Sequence, residues 1–406
     1  MNNKPTKNLT ILILVAALGY FVDIYDLLLF LIIKNKSLAA IGVPAEDIAS
    51  VGLYLMNWQM AGLLIGGIFW GILGDKKGRL SVLFGSIILY SLANIANGFV
   101  QNVPTYAILR FLAGIGLAGE LGAGITLVSE TMSAKNRGYG TMIIASVGLT
   151  GAVAAYFISN IFEWRTTFFI GGGLGLLLLF LRFNVVESIL FNKIENSNAK
   201  KGNFIQLFSP VSRFKKYLYC ILIAVPVWFI VGILIGLAPQ FGKLLGMVGT
   251  PDTGRGIMFA YIGIALGDLL TGFLSQYFKT RKGIVYAFIL LSYLGILFFL
   301  LSNQMTVSGF YRLCFYFGIS TGYWVVFVTI ASEQFGTNLR ATVTTSVPNF
   351  VRGSLIPVSA LFTFIAQYIG LINSALLVGT FLIIIAFYAL YNLPETYGKN
   401  LDYVEE

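Results

Sequence analysis

The chain's 406 residues are 57% hydrophobic and only 11% charged, with a mean hydropathy of +0.83, whereas a soluble domain carries about 25% charged residues; such a chain cannot cover itself with a water-compatible surface and belongs in a bilayer. It contains no histidine, which excludes Ser-His-Asp and Cys-His catalysis, histidine metal sites and histidine proton relays, and its two cysteines, Cys220 and Cys314, lie in apolar runs rather than in a disulfide or metal framework. A net charge of +10 would suit a nucleic-acid partner, but the positions of the basic residues point elsewhere.

A spanning helix takes about 20 mostly apolar residues. On that rule the sequence predicts twelve spans, near 9–34, 47–74, 80–101, 104–132, 139–162, 165–186, 216–246, 253–278, 283–302, 306–334, 340–369 and 371–392. The first follows Lys4 and Lys7 but is too long for a signal peptide. It lacks a small-residue cleavage site and contains two aspartates, so it is predicted to stay as helix one. After the sixth span comes the one long polar segment, Glu187 to Lys215, with IENSNAKKGN at its centre. It divides the chain into an N-terminal six-helix bundle (1–186), a cytoplasmic linker (187–215) and a C-terminal six-helix bundle with a short cytoplasmic tail (216–406). No loop on the opposite side is long enough for a domain, which argues against a receptor ectodomain or a membrane-tethered enzyme.

With the N-terminus inside, 19 of the 27 lysines and arginines fall on the inner side. Only Lys34, Lys36, Arg165 and Arg255 fall outside, and Arg110, Lys243, Arg312 and Arg352 fall within spans. The basic excess is therefore a topological signal. It predicts both termini in the cytoplasm, a multi-pass protein of the inner (cytoplasmic) membrane and no nucleic-acid partner.

The two halves match at charged positions. Arg110, Glu130 and Arg137 recur as Arg312, Glu333 and Arg340, at offsets of 202, 203 and 203 residues, and the basic turn GILGDKKGR (71–79) recurs as GFLSQYFKTRK (272–282). Duplicated six-helix halves are the build of alternating-access transporters, with the site between them near the midplane.

GILGDKKGRL resembles the loop two-three motif G-x-L-x-D-[KR]-x-G-R of the major facilitator superfamily. DIYD (23–26), RFLAGIGLAGE (110–120), EWR (163–165), VVES (185–188) and PETYGKNL (394–401) resemble its metabolite:proton symporter and sugar porter branches. The first two together favour the metabolite:proton symporters. The resemblance spans nearly the whole chain and implies an all-α membrane protein, with twelve transmembrane helices in two pseudo-symmetric six-helix bundles. One departure is Gln276, which stands where the second half would repeat Asp75.

Ionisable residues inside spans are costly and mark function. Asp23 and Asp26 are three apart on helix one and are predicted to share a face. Asp26 and Arg110 each lie about 10 Å inside the outer ends of their helices, so a pair is feasible. A carboxylate that joins and leaves a guanidinium toggles its proton affinity, and the resemblance implies a proton-coupling role for these two positions. The alternative is a permanent structural ion pair. Glu120, ten residues beyond Arg110, is a second protonation site, a substrate contact or a carboxyl kept protonated by burial. Near the midplane of the second half, Arg352 beside Asn349 suits a bidentate carboxylate holder; simple neutralisation by Asp268 is the alternative. Tyr20, Asn57, Gln59, Gln240, Tyr323 and Trp324 are further cavity candidates. Asp75, Lys76, Arg79, Glu130, Arg137, Glu333 and Arg340 lie at inner helix ends, where ion pairs would gate the inner side; helix-end charge compensation is the alternative.

The expectation is a monomeric secondary transporter, not an enzyme, that co-imports a proton and a small organic anion or zwitterion without cofactor or metal. A proton-driven efflux antiporter for amphipathic compounds is the alternative.

Overall fold

A computed structural model describes residues 4–124, 137–182, 204–302, 305–336 and 338–399. Glu130 and the side chains of Arg79 and Arg137 lie outside the described residues. Twelve helices are long and apolar enough to cross a membrane. Spans 1 to 6 are Ile13–Ala40, Ile48–Lys77, Leu80–Asn97, Val103–Gly124, Met142–Ile161 and Trp164–Leu181. Spans 7 to 12 are Val211–Ile235, Thr253–Tyr277, Lys282–Leu301, Val307–Glu333, Thr342–Ile369 and Leu371–Asn392. Helices are the expected outcome for so apolar a chain, because a backbone in hydrocarbon must satisfy its own polar groups. Three of the starts are capped by short polar side chains. Asn102 accepts from the Thr105 N–H (2.9 Å), Asp252 from that of Arg255 (2.7 Å) and Thr306 from that of Gly309 (3.0 Å).

Two boundaries differ from the sequence reading. The first helix runs Lys4–Ala40, so Lys34 and Lys36 sit on a helix rather than in a loop. Both lysines are held by carbonyls: Lys34 donates to Gly236 O (2.8 Å) and Lys36 to Ser159 O (3.1 Å). In the second half, a helix already begins at Val211, inside the segment predicted to be linker. Its basic residues do not expel it from secondary structure, because Arg213 donates to the carbonyls of Gln206 and Ser209 and Lys216 to that of Gln334. Span 7 is also segmented. A helix over Val225–Phe229 passes into a π-helical stretch, Ile230–Ile235, and Ala238–Leu244 forms a separate helix.

The internal repeat is present, but part of its register is corrected. The helices Val103–Leu117 and Val307–Thr321 are each 15 residues long and 204 apart (307 − 103). Their packing repeats at the same offset. A Cβ on Gly62 would lie 2.1 Å from Phe111 O, and one on Gly263 2.3 Å from Phe315 O. A Cβ on Gly66 would lie 2.5 Å from Ile115 O, and one on Gly267 2.5 Å from Ile319 O. Spans 2 and 8 thus correspond at 201 residues (263 − 62), and spans 4 and 10 at 204 (315 − 111). Arg110 therefore matches buried Cys314, and Arg312 matches exposed Ile108. The predicted equivalence of Arg110 and Arg312 is two residues out of register; two arginines fell near one another by sequence, yet a shift of two on a helix turns the side chain by about 200°. Arg340 begins a helix, and Arg137, 203 residues earlier, lies in the helix Arg137–Leu149. The basic turn recurs too. Gly78 (φ 91°) and Lys279 (φ 51°) are 201 residues apart and both left-handed, although only glycine takes that conformation freely.

These glycine contacts let spans 2 and 4, and spans 8 and 10, meet backbone to backbone. Gly66→Val is expected to wedge spans 2 and 4 apart, because overpacking costs about 1–3 kcal/mol. A lower midpoint of thermal unfolding in detergent checks this; an unchanged midpoint contradicts the close approach.

Candidate functional site

Spans 4 and 10 both break near their centres, and the breaks repeat. Helix Val103–Leu117 ends at Ala118, and helix Val307–Thr321 ends at Gly322, again 204 residues apart (322 − 118). In the second half the break is held from span 8. Asp268 Oδ1 accepts from the Val325 N–H (3.0 Å), and Thr271 Oγ1 donates to Gly322 O (2.7 Å). The Tyr323 hydroxyl donates to Ile223 O (3.1 Å). Asp268 thus caps the helix that starts at Trp324. The first half has Gly67 at the matching position, and Asn349 of span 11 packs against it, donating Nδ2 to Ala118 O (2.9 Å).

Between the breaks lies a small cavity of about 20 Å³ lined by Tyr20 and Ile24 of span 1, Leu149, Val227, Trp228, Tyr261, Ile264, Trp324 and Arg352. Arg352 lies in the last turn of helix Arg340–Gly353, which contains Pro348. Its guanidinium is 3.8 Å from Asp23 Oδ2, donates to Asn349 Oδ1 (3.3 Å) and lies 5.8 Å from the Trp324 ring. The acid beside Arg352 is therefore Asp23 of the other half, not Asp268, which corrects the alternative of neutralisation by Asp268. The physical reason is that Asp268 spends an oxygen on a broken helix end, and breaks of that kind are invisible to hydropathy. Tyr20 and Tyr261 stand close enough to feel both charges of the pair. The Trp324 indole N–H is buried with no hydrogen-bond partner among the described residues.

Asp23 and Asp26 do not share one environment. Three residues on a helix turn the side chain by about 300°, and the two acids use the difference. Asp26 lies within the first half, fully buried, where a Cβ on Gly171 of span 6 would come 2.2 Å from its Oδ1. Arg110 is near enough to act on Asp26 electrostatically, yet it makes no ion-pair contact with it within 4.0 Å. Arg110 is instead clamped by Asn94 Oδ1 (2.7 Å) and Asn97 Oδ1 (3.3 Å) and lies 4.9 Å from the Phe168 ring centre. The direct Asp26–Arg110 pair that equal depth made feasible is thus not formed; Asn94 holds Arg110 and stands near Asp26. Asn94, Gly171 and Tyr261 escaped the sequence reading. Tyr261 alone carried a usable signal, lying two helical turns before Asp268 (268 − 261) on one face.

Other candidates lie off the cavity. Glu120 is buried and accepts from Ser86 Oγ (2.9 Å) between spans 3 and 4. Gln59 ties span 2 to span 1 through Leu27 O (3.3 Å). Asn57 meets Ser359 of span 11 (3.3 Å), and Gln240 lies on the short helix after span 7. None of these four lines the central cavity. Polarity within a span marks helix contacts as well as cavities, which is why sequence alone grouped them together.

At the end of the bundle that carries the termini, Asp75 accepts from both the N–H and the hydroxyl of Thr342, at the start of span 11. A carboxylate from one half thereby closes the helix N-terminus of the other. Glu333 forms a two-point pair with Arg281 (2.6 and 2.8 Å), a residue sequence placed only in the basic turn. Arg340 donates to the carbonyls of Ser332 and Phe335. Glu395, in the PETYG motif, accepts from Thr280 Oγ1 (2.7 Å) and from the N–H groups of Arg281 and Lys282. Partial burial alone would raise its carboxyl, but these bonds and one from Tyr397 outweigh it and hold the pKa at about 2. Cross-half contacts therefore lie on both sides of the cavity, with Lys34 on Gly236 O at the far end and Asp75 on Thr342 at the near end.

The Major Facilitator Superfamily profile matches residues 9–360. The "Probable 4-methylmuconolactone transporter" of Cupriavidus pinatubonensis is 24% identical, over 96% of this chain and 91% of its own. The 3-(3-hydroxy-phenyl)propionate transporter of Escherichia coli is 26% identical, over 77% and 78%. The solved structure of the proton:xylose symporter XylE, bound to 6-bromo-6-deoxy-D-glucose, superposes with a TM-score of 0.74 at 17% identity, covering 98% of each chain. A profile match across most of the length, on twelve helices in two repeated halves around a central cavity, places this chain in the Major Facilitator Superfamily, as a multi-pass membrane transporter and not an enzyme.

Proposed function

We propose that this transporter co-imports a proton and a small ring-bearing carboxylate by alternating access. The observation that carries the reading is the Asp23–Arg352 contact across the two halves, with Arg352 lining an aromatic-walled cavity. Guanidinium is the side chain best matched to a carboxylate, and Asp23 stands beside Arg352 where a substrate carboxylate would bind. A substrate that displaces Asp23 leaves two carboxylates beside one guanidinium. Like charges at such range cannot both stay ionised in a dry site, so one takes up a proton. Substrate binding is thereby tied to protonation on span 1, where Asp26 holds the second acid next to Asn94 and Arg110. Tyr20, Trp228, Tyr261 and Trp324 supply the flat apolar faces that suit a ring. The relatives named for methylmuconolactone and for 3-(3-hydroxy-phenyl)propionate point to the same class.

Asp75 on Thr342 and the Glu333–Arg281 pair, with Arg340, form the gate on the termini side. The excess of basic residues on that side supports a cytoplasmic orientation for it. The path lies within one chain, which favours a monomer.

Purified protein in liposomes tests the proposal directly. An inward proton gradient is expected to drive accumulation of benzoate and 3-hydroxyphenylpropionate but not of benzamide. Equal recognition of the amide removes the carboxylate reading. Uptake that rises only when the liposome interior is the acid side identifies a proton-driven exporter instead.

A further inference from the structure

Arg312 is the charge that the repeat singled out and the transport site does not use. It lies on the exposed face of span 10, five residues into the helix that begins at Val307. That is a depth of about 7.5 Å, where headgroups give way to acyl chains. No hydrogen bond, ion pair or ring contact among the described residues engages its side chain. Beside it, Arg255 opens span 8 at the same end of the bundle, the end opposite the termini. The two arginines line an open cleft of about 310 Å³ together with Phe259, Val307, Ser308 and Tyr311. The cleft wall is fixed. The Arg255 guanidinium lies 4.9 Å from the Tyr311 ring centre, and the Tyr311 hydroxyl accepts from the Asp252 N–H (2.9 Å).

We propose that this cleft between spans 8 and 10 binds a membrane phospholipid with an anionic headgroup, its phosphate held by Arg255 and Arg312. The hydroxyl of Ser308 adds a donor at the rim. The lipid is favoured over a free anion by what lies below the arginines. Arg255 and Phe259 head a face of span 8 that continues through exposed Leu266, Leu270 and Phe273, at helical spacings of seven, four and three. An apolar stripe running down from two cations matches acyl chains below a phosphate, whereas a soluble anion would make no use of the stripe. A lone arginine at this depth could simply extend to the interface. Two that converge on one cleft, one of them braced on a tyrosine ring, form a site.

Native mass spectrometry of the full-length protein provides the test, with phosphatidylglycerol or phosphatidylcholine added to the detergent-purified chain. Phosphatidylglycerol is expected to be retained in preference to phosphatidylcholine. The Arg255→Gln/Arg312→Gln variant is expected to lose that preference by roughly 25-fold, each arginine near an anionic lipid being worth roughly fivefold. Equal retention of the two lipids by the unaltered protein overturns the proposal, and needs no variant to fold. Unchanged retention by a folded double variant overturns it too, and displacement of the lipid by millimolar inorganic phosphate assigns the cleft to a free anion.

Discussion

Asp26→Asn is expected to abolish accumulation driven by a pH gradient while leaving substrate counterflow intact. Asparagine has the size of a protonated aspartate and cannot release a proton, so it holds the carrier in one protonation state. Space at this position is tight, with Gly171 backed directly against the carboxylate, and an isosteric change avoids disturbing it. Arg110 is also left undisturbed, because its hydrogen bonds go to Asn94 and Asn97 rather than to Asp26. One pH unit across the membrane is worth about 1.4 kcal/mol per proton, or about tenfold accumulation. Liposomes holding the unaltered protein should approach that ratio under an inward gradient of one unit, and the variant should stop at equal concentrations. Counterflow needs only exchange between loaded states and should continue. Proton-driven accumulation by the variant at the normal ratio would remove Asp26 from the coupling path, leaving Asp23 as the acid on span 1.

Arg352→Lys is expected to weaken carboxylate binding by roughly tenfold to a hundredfold, the value of a hydrogen bond to a charged group. Lysine keeps the charge, so the loss isolates geometry: a compact ammonium cannot reproduce the planar fork that meets two oxygens at once. Asp23 adds a second penalty. An ammonium in the same place pairs with Asp23 as readily as with the substrate, so displacement loses its advantage. The measurement is the half-saturating concentration for counterflow of benzoate, with thermal stabilisation by the same acid as an independent readout. Equal affinity by both measures would reduce Arg352 to an interdomain fastening for Asp23. A fall in affinity with unaltered thermal stability of the empty protein supports the role in binding.

The two expectations draw on different kinds of information. That Asp26, Arg110 and Arg352 matter was legible in the sequence, because ionisable residues inside apolar runs are costly and few. Their partners were not. Sequence made an Asp26–Arg110 pair feasible and offered Asp268 as the alternative neighbour of Arg352, each from depth along a helix. Depth fixes one coordinate only; rotation about the helix axis and the tilt of the neighbouring helix supply the others. The structure puts Asn94 beside both Arg110 and Asp26, and brings Asp23 to Arg352 across the halves. Asp268 illustrates the same limit. Its task is set by a break in span 10, and a break costs nothing in hydropathy, so no window average could reveal it.

Composition and spacing by themselves determined that this chain crosses a membrane twelve times, that it is built from two related halves and that any proton chemistry rests on carboxylates. Those conclusions follow from hydrophobicity and covalent order, which are properties of the chain alone. Only the tertiary structure decided the register of the repeat, moving Arg312 out of equivalence with Arg110 and onto the exposed face of its helix. Helix contacts are made by backbone atoms at glycines, as at Gly62 on Phe111 and Gly263 on Phe315, and these close approaches, rather than matching charges, set which residues correspond. The functional pairings follow from that packing, because a side chain's partner depends on which helix lies opposite its face.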